Sequence, residues 1–140
     1  MEQEKLRSIV ENILDESFVG PMSTIRNNKP YSRYMTFFSD DLTLYTITSK
    51  ETEKIDEIEQ NPHTHILLGY EGEGFNDEFV EYIGEVSIHD SKKAIDDIWD
   101  DSMKEWFEGP DDPNIVVLKI TPLEVRVMNK KNLPPKELKI

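Results

Sequence analysis

The chain of 140 residues is 36% hydrophobic and 32% charged, with 16 Lys+Arg against 29 Asp+Glu, a net charge of −13 and no cysteine. The length suits one domain, 1–140, with one core. The charge argues against nucleic acid or an anionic membrane surface as main partner, and the lack of cysteine removes disulfides, thiolate nucleophiles and cysteine–zinc sites. No apolar run approaches the ~18 residues of a membrane span. Glu2 and Glu4 stand where a secretory leader carries basic and apolar residues, so the expectation is a cytoplasmic protein.

Leu6, Ile9, Val10, Ile13 and Leu14 recur at helical spacing and predict an amphipathic helix over 3–16. Strands are predicted over 18–25, 31–39 and 42–48, separated by the turn Asn27-Asn28-Lys29-Pro30 and by Asp40-Asp41. Thr52 then stands as an N-cap before a short helix with Ile55 and Ile58 on one face, ended by Asn61-Pro62. A fourth strand is expected over 64–70, a Gly/Glu-rich loop over 71–77, and a long fifth strand over 79–89 with a bulge or bend at Gly84. Ser91 caps a helix carrying Ala94, Ile95, Ile98 and Trp99, followed by a helical turn with Met103, Trp106 and Phe107. Two last strands are expected at 115–120 and 124–128, and the lysine- and proline-bearing tail 129–140 is expected to fray. The apolar run Ile115-Val116-Val117-Leu118 fits either an interface or a strand buried on both faces. Short strands joined by tight turns make the fold class mainly β: an antiparallel sheet of six to seven strands closed into a barrel, with helices outside.

Acidic residues concentrate at 71–81 and 90–112, read as solvated surface. No calcium-loop pattern occurs, and His63, His65 and His89 make too small a set for a metal, so none is expected. Neither a nucleophile elbow nor a dinucleotide glycine pattern is present. The informative stretch is a strand, a hydroxyl-rich turn and a helix start: Thr48, Ser49 and Thr52 supply hydroxyls, and Lys50 and Lys54 supply charge. A helix start offers free N–H groups, so the stretch is a candidate phosphate cradle, which Arg33 on the neighbouring strand could also reach.

The runs SRYMTFF, TLYTITSKETEKIDEIEQNP, YIGEVSI and IDDIWDDSMKEWFEGPDDPNIVVLKITPLEV resemble the pyridoxamine-phosphate-oxidase-like flavoproteins, in particular their short general stress protein 26 branch. The resemblance covers roughly residues 5–128, and Trp99…Trp106-Phe107…Gly109-Pro110-Asp111-Asp112-Pro113 is its most specific part. It implies an FMN-binding split β-barrel that forms a homodimer with FMN at the subunit interface. It further implies that Arg33, Met35 and Thr36 contact the flavin and its phosphate. Ile47 and Thr48 form the next strand's contact pair, Thr52 and Lys54 meet the phosphate, and Trp106 shields the ring.

Four departures qualify the resemblance. Tyr34 replaces a proline, Glu53 replaces a phosphate-directed arginine, Met128-Asn129 replaces an aromatic pair, and the arginine-rich C-terminal segment of true vitamin B6 oxidases is absent. Glu53 opposes phosphate binding if it faces the site and costs little if it faces water. The implied function is an FMN-dependent oxidoreductase acting on an unidentified small molecule, with NAD(P)H as a plausible reductant and no nominated catalytic side chain. The alternative is a non-catalytic flavin-binding or stress-related module. The resemblance does not choose among FMN, a deazaflavin and haem.

Overall fold

The computed structural model of the chain describes residues 2–73, 77–128 and 133–140. Helix α1 (Glu2–Glu16) lays Leu6, Val10 and Leu14 onto the sheet. There follow β1 (Val19–Arg26), β2 (Lys29–Thr36), β3 (Phe38–Asp40), β4 (Thr43–Ser49), α2 (Glu53–Gln60), β5 (His63–Leu68) and β6 (Phe79–His89). After these come α3 (Lys92–Ile98), a 3-10 turn over Asp101–Glu105, β7 (Ile115–Met128) and β8 (Lys136–Leu138). Every strand pairing is antiparallel, in the order β2-β1-β5-β6-β7-β4-β3, with β8 added to β7. The mainly β, split-barrel reading is the architecture observed.

The sheet curls until its ends meet, and the chain itself joins them. β2 lies at one end and β3 at the other, with Phe37 alone between them. Phe37 is buried, its N–H donates to the Phe18 carbonyl, and the Thr46 hydroxyl of β4 donates to the Thr36 carbonyl at 2.7 Å. This corner corrects the single strand expected over 31–39. Polar–apolar alternation continues through Phe37, but a strand cannot pair with both ends of the sheet without turning.

At the other correction, 115–120 and 124–128 are one strand, not two. Ile83 opposes Glu124 while Gly84 opposes Pro122, so Leu123 is an extra residue in β7. The bulge absorbs Pro122, which lacks a ladder N–H. A Cβ at Gly84 would lie 2.6 Å from Ile120 Cγ2 and 2.9 Å from the Thr121 carbonyl oxygen, so the close approach requires glycine there.

The tail does not fray as a whole. β8 pairs with β7 and Leu138 is buried in the main core; residues 129–132 lie outside the described residues, as do 74–76 of the acidic loop.

Val116 and Leu118 face the main core, while Ile115 and Val117 join Ile95, with Ile98, Trp99 and Phe107 packed on them. The apolar run of β7 is thus buried on both faces within one chain. Tyr82 fills the barrel centre, its hydroxyl donating to the Leu42 carbonyl at 2.6 Å. Among the described residues, no helix is long and apolar enough to cross a membrane.

Candidate cofactor site

The alternation of β4 turns Leu44, Thr46 and Thr48 inward and leaves Ile47 and Ser49 on its other side. Beside the corner at Phe37 the strand opens onto a cavity of about 400 Å³, within the range of small-molecule sites. Its walls are Met35 and Thr36 of β2, Thr46, Ile47 and Thr48 of β4, and Trp106 and Phe107 beyond the 3-10 turn, while Ser49 and Thr52 close the hydroxyl end. Val19, Tyr34 and Phe38 complete the lining. The lining is largely apolar and aromatic, and the hydroxyls of Ser49 and Thr52 gather just ahead of α2. A larger depression of about 690 Å³ lies between β3–β4 and α3. It mixes Asp40, Asp97 and Lys119 without a comparable separation of apolar and polar ends.

Behind Thr48 stands a buried polar cluster. The Lys54 ammonium donates to Thr48 Oγ1 at 2.7 Å. Glu57, one turn further along α2, accepts from Thr24 Oγ1 at 2.5 Å and from Arg33 Nη2 at 3.2 Å, and Arg33 Nη1 donates to Thr24 Oγ1 at 2.6 Å. Arg26 approaches the far oxygen of Glu57 at 3.9 Å. Lys54, 9% exposed, and Glu57, 4% exposed, are the two charged residues in the buried class among the described residues. Burial, then the nearby Arg33 charge, lowers the Lys54 ammonium below its ordinary value, against the pull of Glu57. Burial pushes the Glu57 carboxyl up, but its bonds to Thr24 and Arg33 and the charges of Arg33 and Arg26 outweigh it, so it titrates below the ordinary carboxyl value.

Six of the eight residues singled out from sequence line the cavity: Met35, Thr36, Ile47, Thr48, Thr52 and Trp106. Arg33 and Lys54 do not; Arg33 is held by Glu57 and Lys54 by Thr48. Thr52 has the extended backbone of an N-cap, but its hydroxyl donates back to the Ser49 carbonyl at 3.1 Å rather than capping α2. Glu53 points to water, 81% exposed in its side chain, and pairs with Arg26 at 2.6 Å. Of the two orientations weighed for Glu53, the structure has the one toward water. Trp99 packs into the second core, while Trp106 is 59% exposed at the cavity mouth.

Thr46, Val19, Phe38, Phe107 and Glu57 were not anticipated. Thr46 was legible from its alternation with Thr48, and Glu57 from its place three residues after Lys54. The apolar pair Ile55 and Ile58 drew the inward face of α2 alone. Among the described residues, no group of three His, Cys, Asp or Glu is placed to hold a metal ion.

A family model described as pyridoxamine 5'-phosphate oxidase matches residues 6–129. The chain belongs to that family. General stress protein 26 of Bacillus subtilis (strain 168) is 48% identical over 140 residues, the full length of both chains. The crystal structure of General Stress Protein 26 from Bacillus anthracis str. Sterne superposes with a TM-score of 0.84 at 33% identity, covering 96% of this chain and 98% of that one. A more distant FAD-binding protein from Mesorhizobium loti, 18% identical with a TM-score of 0.67 over 84% of this chain and 90% of its own, shares the fold.

Proposed function

We propose that the chain binds FMN in the cavity beside Phe37 and acts as a flavin-dependent oxidoreductase on a small molecule other than a vitamin B6 phosphate. The observation that carries this reading is the polarity of one cavity. Its apolar, aromatic end suits a ring system, and its hydroxyl end backs onto a buried lysine with spare donors. An ammonium carries three N–H groups, and Lys54 has one hydrogen-bond partner, Thr48, among the described residues. A buried cation with unused donors in a chain of net charge −13 fits an anionic ligand group. Family membership supports the same reading, and so does the shared fold of the FAD-binding neighbour.

When bound, the flavin supplies the redox chemistry, including acceptance of hydride from NAD(P)H as the reductant we favour. The chain's own residues divide the remaining work. Thr48, Ser49 and Thr52 meet the phosphate end with Lys54 behind them, Met35 and Ile47 wall the ring, and Trp106 covers the mouth. We place two copies together as a homodimer. Exposed Val19, Tyr34 and Tyr70 form an apolar surface continuous with the cavity rim, of the kind that marks an interface.

Among the described residues, the cavity lining holds no carboxylate, imidazole or amine. That observation favours one second reading, a flavin-binding module without turnover. Visible absorbance of the purified protein with added FMN distinguishes the cases. A flavin spectrum bleached by NAD(P)H is expected. A stable flavin spectrum that no reductant bleaches leaves the binding module, and failure to take up FMN overturns both. Uptake of a deazaflavin or haem instead would redirect the cofactor. Light scattering should give about twice the 16.4 kDa of one chain.

A further inference from the structure

Resting on the FMN reading, we propose that Glu57 is a positioning residue for the phosphate. Paired with Arg33 and one helical turn from Lys54, it orients the first cation by direct contact and supports the charge of the second across that turn. The cluster spans three strands and a helix. Thr24 comes from β1, Arg33 from β2, Thr48 from β4, and Lys54 and Glu57 from α2. Glu57 takes one Nη of Arg33 while Thr24 takes the other. A guanidinium has five N–H donors, so three remain for a ligand without breaking either contact. Glu57 therefore orients Arg33 without consuming it.

The second effect is electrostatic. Lys54 is faced by Arg33 from β2, by the Thr48 hydroxyl from β4, and by Glu57 on its own helix. Arg26 of β1 acts through Glu57, and Glu53 is turned to water. Of these, Arg33 and burial oppose the ammonium charge, and Glu57 supports it. Removing the Glu57 charge drops the Lys54 pKa further and lets the ammonium discharge at a lower pH. An ordinary surface carboxylate would have neither consequence. This one combines burial, an ion pair to Arg33 and a hydroxyl donor from a separate strand.

The test compares wild type with Glu57→Gln, which keeps the shape and one acceptor but removes the charge. FMN and riboflavin are titrated between about pH 7 and 9, where a phosphate monoester is already a dianion. Expected for Glu57→Gln is FMN binding about tenfold weaker at pH 7, the loss of one charge-assisted contact. Affinity should weaken further as pH rises, with riboflavin within about twofold of wild type. Wild-type FMN affinity should fall less steeply over the same range. Glu57→Asp, which keeps the charge, should restore the wild-type slope even at reduced affinity, and its thermal unfolding checks that the fold is intact. Equal losses for FMN and riboflavin, or a profile in Glu57→Gln no steeper than wild type, would overturn the positioning role. Wild type that binds neither flavin would instead overturn the FMN reading.

Discussion

Two carboxylates, one on helix α2 and one on strand β6, meet cations in opposite settings. Glu57 sits inside, 4% exposed, between Arg33, Thr24 and the turn of helix that carries Lys54. Glu81 lies on the outer face, joined to His65 Nε2 at 2.9 Å and to Arg126 Nε at 2.6 Å across three adjacent strands. Both carboxyls are held below their ordinary value against burial, Glu57 by Thr24 and arginines, Glu81 by His65 and Arg126. The outer cluster is a cross-strand triad whose members water can solvate. The inner carboxylate is more deeply covered than its arginine partners, so its pairing matters more. Burial separates the charge cluster proposed to serve a ligand group from one that lies on the outer face of the sheet.

The sharpest break in that comparison is ligand affinity. Lys54→Ala should weaken FMN about tenfold to a hundredfold, while Glu81→Ala should leave it within about twofold. Flavin fluorescence titration reads both. Next is stability. Glu57→Ala leaves Thr24 and Arg33 without their acceptor and should cost about 1–3 kcal/mol in urea unfolding. Glu81→Ala should cost about 1 kcal/mol or less.

Acid titration sharpens the pair further. Both folded-state values are depressed, so each carboxylate stabilises the fold above the ordinary value of 4.5 and loses that contribution as pH falls through the lower folded value. Stability followed by denaturation from pH 6 to 3 should decline in wild type and less steeply in Glu57→Gln. The smallest effect belongs to Glu53. Because it faces water beside Arg26, Glu53→Arg should change FMN affinity by less than about twofold, despite restoring the family's cation.

Much of this was legible from residue order, and the exceptions share a cause. The helix stripe of α1, the alternation of β4 and the Gly84 bulge follow from local periodicity and glycine chemistry. In the sequence Phe37 reads as one more strand residue, because its role depends on where the two sheet ends lie. Leu138 was hidden by its lysine-rich neighbours, since its burial depends on pairing with β7. At the site, the hydroxyl turn and Lys54 were visible as chemistry, and family resemblance supplied Met35, Ile47 and Trp106. Glu57 was passed over because a carboxylate on an acidic chain reads as solvent-facing until a structure covers it.

The corner at Phe37 also sets an order of assembly. Residues 19–36 can form the β1–β2 hairpin as soon as the left-handed Asn27-Asn28 turn closes it. The opposite end of the sheet must wait, because β4 is anchored by Leu44 against Ile120 and Ser49 against Ile115. Its partner strand is synthesised some seventy residues later, and pairings that distant form slowly. The cavity wall built from β4 and β2 therefore takes shape only when β7 arrives. A nascent chain that has not yet produced residues 115–120 has the hydroxyl turn and Lys54 but no barrel to hold them.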